Sequence, residues 1–278
     1  MSICVSRIKA KTILTKSKLP DADYVINPYL GCPHGCIYCY AEFMKRFAKH
    51  GEPWGKFVDV KEFSGELNLH RVRPQDTILI GSVTDAYNPL EARFCITRSI
   101  LSLLSDCTAR VEILTKSALV CRDIDLLQNI PNGAVGFSMN TTDDVFRCLI
   151  EPHAAPVKER ISAMRTLHEA GVSTYLFVAP IFPDISNCSD LLQKTAGLVD
   201  YVCFENLNLR GAYRSRVMSM ISQYYPEKTP LYHRIYDQGD HSYWDALADE
   251  LRQSCSSLRL PYRIYFHHGA FAKREEAR

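Results

Sequence analysis

The stretch NPYLGCPHGCIYCYAEFM, residues 27–44, carries a dense group of cysteines. The three, in the spacing C-x3-C-x2-C, are Cys32, Cys36 and Cys39. Gly31 and Gly35 lie beside them, and glycine accepts backbone angles that let a loop wrap closely around a metal group. With His34 as a fourth ligand the stretch would close a zinc site. Without a fourth ligand, three cysteines would hold an iron–sulfur cube and leave one iron open to a substrate or cofactor.

Short apolar runs precede and follow this loop and alternate with helical patterns. The predicted strands are DYVINPY (23–29), TILIG (77–81), RVEILT (110–115), AVGFSM (134–139), TYLFVAP (174–180) and YVCFEN (201–206). Most are apolar on successive residues, as strands buried on both faces are. Helices are predicted over 37–47, around 119–127 and over 157–167, where Gly171 follows. Strands separated by helices indicate βαβ units and a parallel sheet, which is either open or closed into a barrel.

The chain divides into three predicted parts. Residues 1–22 form a basic N-terminal segment, and residues 23–225 hold the alternating strands and helices. After residue 225 the pattern loosens, so residues 226–278 are expected to be an extension packed on the core. This extension is predicted to contain a helix around Trp244 and a final strand in YRIYFHHG (262–269).

The composition is that of an ordinary globular protein. The chain has 278 residues, of which 46% are hydrophobic and 23% charged, and its net charge of +2 is too small to indicate an anionic partner. No secretory signal or membrane span is predicted, because no apolar run reaches the required length. We therefore expect a cytoplasmic monomer whose eleven cysteines are reduced thiols. The isolated ones, expected in the core, are Cys95, Cys107, Cys121, Cys148, Cys188, Cys203 and Cys255.

Longer motifs narrow the interpretation. The cysteine triplet, with Tyr38 before its last member, resembles the radical S-adenosylmethionine (SAM) superfamily. The segments INPYLGCPHGCIYCYA (26–41), GSVTDAYNPLEARF (81–94), ILTKSALVCRDIDLL (113–127) and LIEPHAAPVKERISAMRTLHEAGV (149–172) resemble, in this order, its spore photoproduct lyase-like family. The resemblance covers residues 9–205.

The resemblance implies an α/β fold, a partial (β/α)6 TIM-like barrel of parallel strands. It also implies a [4Fe–4S] cluster on the three cysteines, with SAM bound at the unique iron. Reductive cleavage of SAM would give a 5′-deoxyadenosyl radical that abstracts hydrogen from a substrate, and a reductant such as flavodoxin or ferredoxin would supply the electron.

The ends of the predicted strands supply the residues that the resemblance would place around SAM. They are Tyr38, Thr84, Asp85, Lys116, Ser138 and Asn140. Thr84 and Asp85 stand where many superfamily members have a Gly-Gly-Glu motif for the amino group of SAM, with a turn cap as the alternative. Lys116 would pair with the carboxylate of SAM, the alternative being a surface lysine.

The other positions have similar alternatives. Ser138 and Asn140 would bind ribose hydroxyls or cap loops, and Tyr38 would pack near the adenine or in the core. Glu151, from a Glu-Pro pair typical of the family, is predicted to form an ion pair with Arg160 that orders the loop.

The resemblance does not extend to the reaction. Spore photoproduct lyases carry a hydrogen-donating cysteine where this chain has Ser82, whose O–H bond is too strong for that role. Thymine dimer repair is therefore not expected, and no catalytic residue is assigned.

Two substrate classes remain open, nucleic acid and a peptide or small metabolite. A stacking surface for nucleic acid would be formed by Tyr224, Tyr225, Tyr232, His233 and Tyr236, unless these are core residues. A non-enzymatic zinc-containing nucleic-acid-binding module is the alternative to the enzyme.

Overall fold

The structure, a computed structural model, describes residues 3–266 and the backbone of 275–277. Met1 and Ser2 of the N-terminal segment lie outside the described residues. So do His267, His268 and Gly269, onto which the last strand was predicted to continue.

The described residues form strands and helices in alternation. The strands are β1 (Cys4–Lys9), β2 (Leu14–Leu19), β3 (Ala22–Ile26), β4 (Tyr29–Leu30), β5 (Phe57–Glu62), β6 (Thr77–Ile80), β7 (Arg110–Thr115), β8 (Gly133–Ser138), β9 (Ser173–Ile181), β10 (Tyr201–Asn206), β11 (Tyr262–Tyr265) and β12 (Glu275–Ala277). The α-helices are α1 (Glu91–Phe94), α2 (Ile96–Ser102), α3 (Ile124–Leu127), α4 (Asp144–Ile150), α5 (Val157–Glu169), α6 (Cys188–Thr195), α7 (Arg214–Tyr224), α8 (Thr229–Tyr236) and α9 (Ser242–Leu258). Shorter 3₁₀ helices span Tyr40–Phe47, Ala118–Asp123 and Pro226–Lys228.

The main sheet confirms the predicted partial barrel. Its strand order is β12-β11-β10-β9-β8-β7-β6-β3-β2, and it curls into a half-barrel. The strands from β3 to β11 are all parallel to their neighbours, whereas β2 and β12 pair antiparallel at the two edges. Each apolar run predicted as a strand between 77 and 206 is a strand of this sheet.

The two ends of the chain also take part in the sheets. In the N-terminal segment, β1 pairs in parallel with β5 in a second, three-stranded sheet, and β2 forms a hairpin with β3. The sequence analysis predicted neither strand. At the other end, β11 extends the parallel sheet, and Trp244 and Leu251 of α9 are buried in the main hydrophobic core.

A pair of stacked rings fills the inside of the half-barrel near the amino ends of its strands. The rings of Tyr175 and Tyr201 lie 4.8 Å apart at an interplanar angle of 11°. Gly136 on the neighbouring strand makes room for them, because an added Cβ would lie 2.1 Å from the Tyr175 ring. Arg110 stands over the Tyr201 ring at 5.5 Å. The carboxyl ends of the strands are therefore the end at which a site can form.

One predicted helix differs from its expectation. The segment 37–47 was predicted as an apolar-faced helix, but only Tyr40–Phe47 is helical, as a 3₁₀ helix. The residues up to Cys39 stay in the loop, and Tyr40 and Phe47, which the helical spacing placed on the apolar face, are exposed instead of packing on the core. Within the part of the chain that is described, no helix has both the length and the apolar character needed to cross a lipid bilayer.

Candidate active site

The cysteine loop lies against the second sheet and the end of β6. Gly31 has φ +94°, and a Cβ there would come within 2.4 Å of the Phe57 carbonyl oxygen. Gly35 also has a positive φ, of +64°. The Thr84 hydroxyl donates a 2.7 Å hydrogen bond to the Gly31 carbonyl. Only glycine allows this approach without strain, so the loop is fixed where the strands of the main sheet end.

The three loop thiols are close enough to affect one another electrostatically. Burial, together with Asp85 and Cys39, raises the pKa of Cys32 to about 12. Burial also raises the pKa of Cys36 and of Cys39, whose sulfur accepts a 3.3 Å hydrogen bond from the Trp54 indole N–H. Thiols in such surroundings stay protonated unless a cation stabilises the thiolate. The donor set therefore fits a bound metal group.

The spacing of these thiols favours a cluster over a single ion. Four ligands on one zinc place their sulfurs about 3.8 Å apart. Among the described residues, no trio drawn from Cys32, His34, Cys36 and Cys39 has all its donor atoms within 4.8 Å of one another. A group with several metal atoms accommodates wider separations, so the residues present fit an iron–sulfur cube.

His34 has a different neighbour from the one that a zinc site requires. Its Nδ1 lies 3.4 Å from the Asp85 carboxylate. Burial lowers the pKa of His34, and the positive charges of Lys116 and Arg160 lower it further. The negative charge of Asp85 raises this pKa but does not outweigh the other effects. The contact with Asp85 therefore gives this buried imidazole a structural role beside the loop.

A buried carboxylate connects the loop to the barrel. Glu151 follows α4, is fully buried, and accepts hydrogen bonds from the Arg160 guanidinium and the Tyr38 hydroxyl. Arg160 also donates to the Ser138 carbonyl at 2.9 Å. Burial works to raise the pKa of Glu151, but Arg160, Lys116 and Tyr38 lower it on balance. The predicted Glu151–Arg160 ion pair is confirmed.

Lys116, Ser138 and Asn140 come together beside Glu151. The Lys116 ammonium donates to the Ser138 hydroxyl at 2.9 Å and lies 4.0 Å from Glu151. Burial opposes its charge, but Glu151 and the other acidic groups raise the pKa of Lys116 on balance. The Asn140 amide N–H₂ faces the Tyr38 hydroxyl and Glu151, each at 3.4 Å. Its Oδ1 is buried and has no hydrogen-bond partner. A buried acceptor without a partner, such as this Oδ1 beside Lys116 and Glu151, is suited to accept a hydrogen bond from a ligand hydroxyl.

Tyr38, Thr84 and Asp85 already have structural roles. Tyr38 packs edge-on against Phe182 at 5.8 Å, and Lys116 stands over its ring at 5.9 Å. Asp85 accepts hydrogen bonds from the Thr115 hydroxyl and from the backbone N–H of Lys116 and Tyr87. These contacts favour the capping alternative for Thr84 and Asp85, while contact with SAM stays a prediction.

Other expectations need correction. In the aromatic stretch, Tyr232 is fully buried and Tyr225 and Tyr236 pack around it, which favours the core alternative for these three, whereas Tyr224 and His233 are exposed. Three of the isolated thiols are also misplaced by the prediction, since Cys148 is exposed and Cys95 and Cys121 are only partly buried. Residue type alone decides neither case, because aromatic and thiol side chains are common both in cores and near surfaces.

Trp54 was not predicted as a site residue. It lies in a loop fifteen residues beyond Cys39, and its contact with that sulfur exists only in the folded chain. Residue type and spacing gave no indication of it.

Comparisons with known proteins agree with this geometry. The family model described as the radical SAM superfamily matches residues 26–190. An uncharacterized protein of Methanocaldococcus jannaschii is 38% identical over 223 residues, which cover 80% of this chain and 84% of the relative. An uncharacterized protein of Mycobacterium tuberculosis is 26% identical over 274 residues, covering 89% of this chain and 80% of the relative.

A solved structure extends the agreement to the fold. A spore photoproduct lyase complexed with dinucleoside spore photoproduct superposes with a TM-score of 0.67 at 19% identity. The match covers 94% of this chain and 82% of that one. The fold expected from the resemblance is confirmed.

The buried ion pair predicts a large loss of stability on neutralisation. In Glu151→Gln the buried Arg160 loses its counter-charge, which should lower the free energy of unfolding by about 3–5 kcal/mol. Urea unfolding followed by circular dichroism measures the difference. Glu62→Gln is the control, because the Arg7–Glu62 pair is exposed and should be worth less than about 1 kcal/mol. Equal, small losses in both variants would contradict the central place of Glu151.

Proposed function

The chain belongs to the radical SAM superfamily, and we propose that Cys32, Cys36 and Cys39 hold its [4Fe–4S] cluster. The superfamily's cofactors are this cluster and SAM, and the chain is an enzyme of radical chemistry. When bound, the pair supplies a one-electron cleavage of SAM that yields a 5′-deoxyadenosyl radical for hydrogen abstraction. An electron donor such as flavodoxin or ferredoxin is the matching partner. The observation that carries the proposal is the set of three neighbouring thiols, held on one loop that Gly31 and Gly35 shape at the carboxyl ends of the strands.

The residues beside the loop are suited to hold SAM. Lys116 offers a buried positive charge for a carboxylate, and the Asn140 Oδ1 offers an acceptor for a hydroxyl proton. Ser138 is fixed between Lys116 and the Ala179 carbonyl and can exchange either contact for a ligand. Tyr38 and Glu151, which are hydrogen-bonded to each other, hold Lys116, Ser138 and Asn140 in place and exclude water from them. We assign binding and orientation to these side chains.

A polar and aromatic surface at the same mouth favours a nucleic-acid substrate. Phe43 and Phe47 are exposed on the 3₁₀ helix that follows Cys39, and the Arg46 guanidinium stands over their rings at 5.4 and 4.8 Å. The Tyr40 hydroxyl donates to the Ser82 carbonyl, which ties this helix to the end of β6. Exposed rings and a guanidinium plane are what unpaired bases stack on. The superposed lyase was solved with a dinucleoside, which supports the same substrate class.

Removal of one cluster thiol should abolish the reaction. Cys36→Ala should lose cluster iron and the production of 5′-deoxyadenosine, because two thiolates do not retain the cube. Iron content, visible absorption and chromatography of the nucleoside product measure both effects after anaerobic reconstitution. Cys148→Ala, which removes an exposed thiol, should keep the iron. Nucleoside production by Cys36→Ala at the parent rate would refute the assignment.

The unpaired amide oxygen predicts a specific loss of SAM affinity. Asn140→Ala should weaken SAM binding by about 1–2 kcal/mol, roughly 5- to 30-fold in Kd, with iron content unchanged. Calorimetric titration of the cluster-loaded protein measures the change. Asn132→Ala is the matched control, since Asn132 lies before β8 and donates to the Thr108 carbonyl. Unchanged SAM affinity in Asn140→Ala would remove this residue from the site.

The exposed aromatic pair predicts binding of single strands. Phe47→Ala should weaken binding of a fluorescent single-stranded oligonucleotide by about 1–3 kcal/mol. Arg46→Ala should make the slope of log K against log salt concentration shallower, by the amount that corresponds to about one phosphate contact. Anisotropy titrations at two salt concentrations measure both quantities. Arg93→Ala is the control, because Arg93 stands over Phe94 at 5.1 Å in a similar pair on α1. No salt-sensitive binding by the parent protein would exclude this substrate class while leaving SAM cleavage intact.

A further inference from the structure

A second group of metal-binding side chains lies outside the cysteine loop. Cys4 of β1, His50 and Glu52 bring one donor atom each within 4.8 Å of the others. The Cys4 sulfur is 3.8 Å from His50 Nδ1, and Nδ1 is 3.5 Å from a Glu52 carboxylate oxygen. Ligands at ordinary zinc bond lengths in a tetrahedron are about 3.6 Å apart for sulfur and nitrogen and about 3.4 Å for nitrogen and oxygen. The three donors therefore already stand at the separations of a shared ion.

The orientation of the imidazole adds an independent argument. His50 Nε2 lies 2.7 Å from the carboxylate of buried Asp59, and the ring stacks on Phe57 at 4.4 Å and 18°. In a neutral histidine the ring proton then belongs to Nε2, so the Nδ1 lone pair faces the thiol and the Glu52 oxygen. A cation placed between these atoms would accept electron density from all three donors. A carboxylate that fixes the far nitrogen of a ligand histidine is a usual feature of zinc sites.

We propose that Cys4, His50 and Glu52 bind a zinc ion, with water as the fourth ligand and Asp59 orienting the histidine. Thiolate, imidazole and carboxylate donors in a tetrahedral arrangement are the set that suits zinc. Glu52 is about half exposed, with a side-chain exposure of 45%, which gives the ion access and leaves room for the water.

The ion has a structural consequence near the cluster loop. Cys4 pairs in register with Phe57 on β5, and its backbone N–H donates to the Lys56 carbonyl at 2.9 Å. Between Glu52 and Lys56 lies Trp54, the donor to Cys39. Zinc would thus connect β1 to the segment around Trp54, which supports the Cys39 thiol. Because zinc would bind the folded chain and not the unfolded one, it would also raise the stability of the fold.

The test uses the full chain with its cluster reconstituted, equilibrated with zinc and dialysed. Elemental analysis should find about one zinc per chain in addition to the cluster iron. Zinc K-edge absorption should show one sulfur at about 2.3 Å and three nitrogen or oxygen ligands at about 2.0–2.1 Å. Three sulfurs would mean that zinc had replaced iron on the loop cysteines, and this result or the absence of retained zinc would overturn the proposal.

Variants separate the site from general stability. Cys4→Ala and Glu52→Ala should lose the zinc, and Asp59→Asn should weaken its affinity about 10- to 100-fold. Because Glu52 is half exposed, its variant is expected to fold, and it should lose the rise in thermal midpoint that zinc gives the parent protein. Cys148→Ala and His70→Ala, at a thiol and an imidazole elsewhere on the surface, should keep both the zinc and the rise. Zinc retained in Cys4→Ala and Glu52→Ala would contradict the assignment.

Discussion

The arrangement at the barrel mouth depends on the pairing of Glu151 with Arg160. Both side chains are almost fully buried, and an isolated charge in such a place is strongly unfavourable. The fold therefore has to bring the end of α4 and the first turn of α5 together over the end of β8. Because Glu151 also accepts the Tyr38 hydroxyl, the cysteine loop is fixed by the same requirement. Backbone hydrogen bonds strengthen the connection, from Ile37 N–H to the Ile150 carbonyl and from His153 N–H to the His34 carbonyl. A loop that has to hold a metal group needs such fixation, since the thiols themselves offer no mutual attraction.

Charge is distributed around this pair in a way that suits an anionic guest. Lys116 lies at the edge of the ion pair, shares Glu151 with Arg160, and donates a hydrogen bond to the Ser138 hydroxyl. Glu151 is shared between two cations, so the Lys116 ammonium, 4.0 Å from it, can pair with a further anion. Cluster thiolates and a carboxylate of SAM would both be stabilised there. The opposite end of the half-barrel is filled by the stacked Tyr175 and Tyr201 rings, so the polar mouth is separated from the amino ends of the strands. That separation is consistent with radical chemistry, which requires shielding from water.

Much of this site could be predicted because parallel strands impose order on distant residues. Once the apolar runs are assigned as neighbouring strands, Lys116, Ser138 and Asn140 must meet at one end of the sheet, although up to 24 positions separate them. Contacts that do not follow from strand order were not predictable. Trp54 reaches Cys39 from an irregular loop, and the short β1 has only a weak alternation of half-buried and exposed residues. The aromatic stretch of the C-terminal extension was left open between two alternatives for another reason. Its composition suits both a stacking surface and a core, and only the packing of α7 and α8 around Tyr232 decides between them.

The segment from His50 to Asp59 connects the two groups of metal-binding side chains. At one end His50 and Glu52 face Cys4, and in the middle Trp54 donates to Cys39. Phe57 then packs under the His50 ring while its carbonyl comes so close to Gly31 that only glycine fits. A displacement of this segment would therefore affect β1 and the cysteine loop together, because the segment contacts both. The small sheet of β1, β5 and β4 thus has a function beyond covering the barrel edge. This sheet holds the cysteine loop at Gly31, through Phe57, whereas Glu151 holds the same loop at Tyr38. The loop is therefore fixed at two places by independent interactions.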